Sequence, residues 1–277
     1  MHVQHRPRSE RQALAIAGRA AAERWRSTAV WTAGIVLIAV MQLSVYPSIA
    51  ETSAGMQAFV EAWPEALREA FGLADYTTGP GYLHAELFTF VVPLILVGVA
   101  VAAAAGATAG EEERGTADLL LALPVRRGTA LTGKVLALVA TTAVVGAALA
   151  VTLVVGAPVV DLDVSTSGIL AAVTMSVLLG LAFGGVALLL GAATGRRATA
   201  IGAGMGLAIA AFLLEALAPL ADWLEPWQPA SPFHWAYAER PLTNGLDGQG
   251  AALLLAVAVV TTVAAGVVYG RRDVRTV

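Results

Sequence analysis

The chain has 277 residues, 57% of them apolar and only 13% charged, with a formal net charge of −3 and no cysteine; its mean hydropathy is +0.73. A soluble domain carries about 25% charged residues, so this is the composition of a polytopic membrane protein. The lack of cysteine excludes a disulfide framework and a thiolate metal site, and leaves the redox compartment open.

Residues 9–27 predict an amphipathic helix. Leu14, Gly18, Ala21 and Trp25 follow helical spacing, with Arg11, Arg19, Arg24 and Arg26 on the polar side. Such a helix lies in the membrane interface, with Trp25 at headgroup depth; a plain basic topology signal is the equal alternative. Six apolar runs follow, at 28–49, 87–109, 135–157, 168–193, 200–220 and 250–269. Each is close to the ~20 residues a helix needs to cross ~30 Å of hydrocarbon. Ser48-Ile49-Ala50 has the small residues of a signal-peptide cleavage site, but the preceding apolar run exceeds the usual ~7–15 residues, so a retained span is expected. Six spans and their loops leave no room for a separate soluble domain, and residues 1–277 read as one transmembrane domain.

The first outer loop, 50–86, carries an apolar stripe of Met56, Phe59, Val60, Trp63, Leu67 and Phe71, with Glu61, Glu65 and Glu69 on another face. A helix lying flat on the bundle is expected there, followed by a turn at Thr77-Thr78-Gly79-Pro80-Gly81. The last outer loop, 219–249, is interrupted by Pro219, Pro226, Pro229, Pro232 and Pro241. Those prolines exclude a continuous helix and predict short helical pieces, with Trp223, Trp227, Trp235 and Tyr237 suited to an interfacial belt.

Charge sets the orientation, because Lys and Arg accumulate on the cytoplasmic side. Arg6, Arg8, Arg11, Arg19, Arg24 and Arg26 precede the first span. Arg114, Arg126, Arg127 and Lys134 follow the second, Arg196 and Arg197 the fourth, and Arg271, Arg272 and Arg275 the last. The other three loops hold only Arg68 and Arg240 and are otherwise acidic. Both termini are therefore expected in the cytoplasm, in a multi-pass protein of the cell (plasma or inner) membrane.

The inner connection 110–134 reads GEEERGTADLLLALPVRRGTALTGK. Thr116 can cap a short helix over 117–123, with Asp118 near its positive end, and Pro124 ends it. A short helix across the inner mouth, joined to two spans, is a lever on which a soluble partner could push.

This segment resembles the coupling helix of ABC-2-type transporter permeases. The residues that carry the resemblance are Glu111, Glu112, Glu113, Gly115, Thr116, Leu119, Leu120, Pro124, Arg126, Arg127, Gly133 and Lys134. Ser231-Pro232-Phe233-His234-Trp235, with Pro241-Leu242 and Asn244-Gly245, is similar to the family's outer loop, as is the closing Arg271-Arg272-Asp273 to its end. The resemblance implies an all-α membrane protein of six transmembrane helices, with an N-terminal interfacial helix and a cytoplasmic coupling helix. It implies an exporter subunit that is not itself an enzyme. ATP and Mg²⁺ would be bound by a separate ABC-type ATPase, two copies of which dock onto two permease subunits, alike or related. Drugs, antibiotics, lipids and glycans are the cargo classes it suggests, antibiotic or drug first by prevalence. Neither a bound cofactor nor a nucleic-acid partner is expected; lipid is.

Three other patterns are weaker. Gly128 to Lys134 has P-loop spacing, but Val135 follows where Mg²⁺ binding needs a Ser or Thr hydroxyl, and the segment opens a span. Gly202 and Gly206 have the small-xxx-small spacing of close helix contacts; a dimer seam and packing within one subunit are both open. Glu215 is the clearest charge inside a run. An intramembrane acid is a functional candidate by default, although its place near the outer end of span five also suits packing or snorkelling. Gln42 and Glu215 are the candidate residues of a substrate path. The rival readings are an ion-gradient-driven transporter, which would want more ionisable residues in mid-membrane, and a non-transport scaffold.

Overall fold

Backbone polar groups have no water to bond in hydrocarbon, so apolar runs of this length satisfy them internally as helices. The computed structural model describes residues 8–52, 59–60, 62–71, 75–107 and 127–271, together with Gly55 and Leu73. Among these residues there is helix and no strand. The long helices are α1 (Arg8–Glu51), α4 (Val91–Ala107), α5 (Arg127–Gly156), α6 (Thr166–Thr194), α7 (Arg197–Leu217) and α10 (Gly248–Arg271). Short helices α2 (Glu65–Ala70), α3 (Gly79–Leu83, continued by a π turn at His84–Phe88), α8 (Pro232–Tyr237) and α9 (Pro241–Asn244) lie at one end of the bundle. Five helices are long and apolar enough to cross a membrane, and α3 with α4 makes a sixth if that bent pair counts as one span.

Three boundaries differ from expectation. The interfacial helix expected over 9–27 is not a separate element, because α1 runs unbroken for 44 residues. At about 1.5 Å per residue such a helix is roughly twice as long as hydrocarbon is thick, so a large part of α1 projects beyond it. Span two starts earlier than residue 87, since α3 already begins at Gly79 and meets α4 at a 41° bend. Pro93 accounts for the break: it has no N–H for the Thr89 carbonyl and its ring crowds that group. Span three also starts earlier, at Arg127, so the end of the expected 110–134 connection belongs to α5. The 219–249 segment does break at its prolines into a 3₁₀ turn (Glu225–Ala230), α8 and α9.

Helix α6 is the middle of the bundle and packs against α4, α5, α7 and α10. Two buried clusters meet along it. One joins Ile35 and Leu43 of α1, Tyr82 and Phe88 of α3, and Leu149 and Leu153 of α5. The other joins Val97 of α4, Phe183 and Leu188 of α6, Phe233 of α8, and Leu254 of α10. Glycines set the spacing. A methyl group at Gly180 would sit 2.9 Å from the Leu96 carbonyl oxygen, and one at Gly184 would sit 3.1 Å from the Ala100 side chain. Small residues let helices approach this closely where lipid supplies no hydrophobic drive. By contrast Val30, Leu37, Val151, Val155, Val260 and Val263 are exposed, an apolar outer surface too extensive for water.

These contacts predict opposite outcomes for two glycine-to-alanine changes. Gly180→Ala should lower unfolding stability in detergent by about 1–3 kcal/mol through overpacking. Gly202→Ala, where an added methyl meets nothing, should be neutral or stabilising by about 0.5–1 kcal/mol. Equal effects would contradict the packing described.

Candidate functional site

The polar groups concentrate at the end of the bundle covered by α2, α3, α8 and α9. Thr78 caps α3 by accepting from the Gly81 N–H at 3.1 Å. Gly79 and Gly81 are required there by contact: a Cβ at Gly79 would collide with the Asp163 carbonyl and one at Gly81 with the Asp75 carbonyl. The chain thus enters α3 pressed against its neighbours, which directs His84 and Glu86 into the structure.

Glu86 is the hub of one polar group. Its Oε2 accepts from Gln42 Nε2 at 2.8 Å and its Oε1 from the Tyr76 hydroxyl at 2.7 Å. The Tyr82 hydroxyl donates to the Gln42 carbonyl at 2.8 Å. The Tyr82 ring lies between those of Tyr46, tilted against it, and Tyr76, edge to face, with ring centroids 5.2 and 5.7 Å away. A partly buried carboxylate is tolerated because its oxygens are bonded. Burial, then the hydrogen bond to Glu86 and its charge, hold the Tyr76 phenol above its ordinary pKa.

The second group surrounds a cavity of ≈ 240 Å³ between α3, the end of α7, and α8. Glu215 Oε1 accepts from Gln228 Nε2 at 3.2 Å and lies 3.3 Å from His234 Nδ1. Arg240, held at φ 48°, donates to Asp75 at 2.6 Å. Tyr237 bonds Ser176 of α6 at 2.7 Å and faces His84, ring centroids 6.3 Å apart. Ser231, nearly fully buried, ties the entry to α8 onto α7 by donating to the Ala211 carbonyl at 2.9 Å and accepting from the Phe233 N–H. Phe212 and Phe233 meet edge to face at 5.6 Å and form an apolar wall.

Of the two expected path residues, Glu215 lines this cavity and Gln42 does not; Gln42 belongs to the Glu86 group. Glu215 is held beneath the 225–237 segment, with 24% of its side chain exposed. Gly202 and Gly206 are exposed, and a methyl at either meets no atom of this chain, whereas Gly204 packs on Ala187 and Val101. Glu111, Glu112, Glu113, Gly115, Thr116, Leu119, Leu120, Pro124 and Arg126, and the expected helix 117–123, lie outside the described residues. Arg127 is the first residue of α5. Gly133 abuts Ala13 and Ile16 of α1. Lys134 is 3% exposed, its Nζ 5.4 Å from the Tyr269 ring centroid, so its charge sits within the bundle.

Sequence reasoning missed Glu86, which stands one residue before the expected start of span two. Two signals could have found it: Thr78 as a cap before Gly79-Pro80, and Pro93 as a break inside the run. A family of sequences described as ABC-2 family transporter protein matches residues 14–274. None of the curated proteins matches the chain.

Shared attachment to Glu86 gives a prediction. Tyr76→Phe and Gln42→Leu should each cost about 1–3 kcal/mol of unfolding stability. The double mutant should depart from additivity by about 0.5–3 kcal/mol; additive losses would mean that the two do not share the carboxylate. Because the folded phenol pKa is raised, the contribution of Tyr76 is complete below the unfolded value of about 10 and is lost only as pH climbs through the folded one. The Tyr76→Phe difference should therefore be constant from neutral pH to about pH 9.

Proposed function

The chain belongs to the ABC-2 transporter family, and from that premise we propose that it is the permease subunit of an ATP-binding-cassette exporter. It moves a hydrophobic or amphipathic cargo, antibiotic or drug first among the classes, with ATP hydrolysed by a separate ATPase. The observation that supports this reading is how the 108–126 connection is anchored. It leaves α4 at Ala107 and returns as α5 at Arg127. Both helices are locked into the bundle, α4 through Leu96 against Gly180 and α5 through Gly133 against α1. A force applied to that connection enters the core directly.

In this reading α3 and α4 form one span and the bundle has six. Both termini and the 108–126 connection face the cytoplasm of a cell-membrane protein, and the cavity end faces outward. Glu111 to Lys134 couple to the ATPase, two copies of which drive a pair of permeases. ATP and Mg²⁺ belong to the partner. Exposed Gly202 and Gly206 supply the seam between permeases, where a small-xxx-small pair permits close approach. Glu86, an acid inside the bent pair, and Glu215, an acid within α7, are the features that favour an ion-gradient mechanism among the described residues.

A pull-down of the tagged chain, gently solubilised from its native membrane, tests the proposal. An ABC-type ATPase should accompany it at near-equal stoichiometry and be lost when Leu119 and Leu120 are both changed to Asp. A well-folded chain recovered without ATPase, under conditions that preserve other ABC complexes, would instead favour a self-sufficient transporter or a scaffold.

A further inference from the structure

The rim of the cavity between α3, α7 and α8 is joined by two side chains from different walls. Asp75 stands just before α3, and Arg240 stands at the corner between α8 and α9. Both line the cavity, and Arg240 Nη1 donates to Asp75 Oδ2 at 2.6 Å. Each backbone is tied to its own wall. The Asp75 carbonyl accepts from the N–H and the hydroxyl of Thr78, the cap of α3, at 2.9 and 2.8 Å. The Arg240 N–H donates to the Tyr237 carbonyl of α8 at 2.9 Å, and the Arg240 carbonyl accepts from the N–H groups of Thr243 and Asn244 in α9 at 2.9 and 3.0 Å. The Arg240 wall is fixed to the bundle in turn, through Ser231 on α7 and through Tyr237 on Ser176 of α6. The α3 wall lies beyond the 41° joint with α4. The ion pair therefore bridges two separately held walls, and does so with side chains alone.

The pair is also easy to open. The Arg240 and Asp75 side chains are 53% and 56% exposed, so water and salt compete for both partners. When they part, each charge returns to water and neither is left buried without a partner. Parting needs only rotation of the two side chains, since both backbones keep the bonds just described, and exposed side chains change rotamer in ps to ns. Deeper in the cavity the lining is aromatic, with Phe88, Phe212 and Phe233.

We propose that Asp75 and Arg240 form a side-chain gate at the mouth of this cavity, shut when the two are paired. Solutes pass between α3 and the α8–α9 corner when the pair parts. As a gate on a cargo path, the inference rests on the exporter reading above. As control of access to the cavity, it concerns this chain alone.

The chain has no cysteine, so one introduced thiol reports access. Thr89 lines the cavity and lies roughly 15 Å along the bent pair from Gly79. The test uses the full chain carrying Thr89→Cys, in lipid nanodiscs without ATPase, near neutral pH. The probes are two small membrane-impermeant methanethiosulfonates, one bearing a trimethylammonium and the other a sulfonate. Adding Asp75→Asn or Arg240→Gln should speed labelling by both reagents, by about two- to fivefold. Exchanging the charges, Asp75→Arg with Arg240→Asp, should restore the slow rate. Raising the salt from about 10 mM to about 1 M should speed labelling of the Thr89→Cys chain and leave its Asp75→Asn variant unchanged. A control thiol from Ser167→Cys, an exposed position outside the cavity, should react at one rate in all these backgrounds.

Unchanged rates in both single-charge variants would overturn the proposal. So would faster reaction with one reagent and slower with the other, which reports a change of field without opening, and so would an exchange of charges that restores nothing. If a Thr89→Cys form fails to fold, Ala216→Cys, on the α7 side of the cavity, serves as reporter, and the salt response of the unaltered pair decides. No labelling of either reporter in any form would also overturn the gate, since a parted pair should admit the reagents. Failure here is distinct from failure of the permease reading: ATPase recovered with unchanged labelling rates removes only the gate. A working gate without ATPase removes only the ATP-driven function.

Discussion

The close approach of α4 to α6 fixes most of this molecule. At Gly180 the α4 backbone comes so near that a methyl group would stand 2.9 Å from the Leu96 carbonyl oxygen. No hydrophobic gain favours helix association in hydrocarbon, so close packing itself must hold the pair together. Once α4 is pressed onto α6, its axis is determined and Pro93 determines where it must stop. The chain before the break then departs at 41° as α3. That departure carries Tyr82, His84 and Glu86 toward α1 and α8, in place of the straight continuation a plain span would give. Both polar groups at that end follow from one helix contact and one missing N–H.

The same end shows how polar side chains survive in an otherwise apolar chain. The three carboxylates of these two polar groups have assigned neighbours: Gln42 and Tyr76 for Glu86, Gln228 and His234 for Glu215, Arg240 for Asp75. Breaking one link leaves a buried acceptor without its donor, which costs more than the bond contributes when formed. The Asp75–Arg240 pair is more than half exposed and contributes little by this measure, at most about 1 kcal/mol. Its left-handed Arg240 backbone is also mildly unfavourable, by about 1–2 kcal/mol for a residue with a Cβ. The strain is absorbed where the 238–241 corner must turn sharply into Pro241.

Helix identity was legible in the sequence because hydropathy reports it directly. The run read at 168–193 is helix α6 at Thr166–Thr194, and the run at 250–269 lies within α10. Reading faces was harder. In a soluble helix the polar side marks the surface, but here the packed and outward sides are equally apolar. Leu179, fully buried, and Leu213, 45% exposed, look alike in the chain. The glycines show this best: Gly204 is packed while Gly202 and Gly206, on the same helix, are open. The site was less legible still, since its bonds join distant positions. Asp75 and Arg240 are 165 residues apart, Ser176 and Tyr237 are 61 apart, and no local pattern encodes such pairs. Glu215 could be flagged as an anomaly in an apolar run, whereas Glu86 escaped because it stood one residue outside the run as drawn.

Under the proposed function, the bend also connects the two ends of the molecule. Helix α4 starts at the Pro93 break and ends where the 108–126 connection begins. A displacement of that connection moves α4 as a unit, since the helix is regular and most of its residues between Val92 and Ala107 are buried. It cannot pass smoothly into α3, because the 89–90 junction lacks the continuous ladder that would transmit it. The π turn at His84–Phe88 adds slack at the same place, and such turns are frequent at functional sites. The junction therefore converts a shift of α4 into a change of angle at α3. Pro80, His84 and Phe88, which α3 contributes to the cavity, would move relative to Glu215 and Phe212 on α7. The cavity is thus built across this joint, where α3 and α4 meet at 41°.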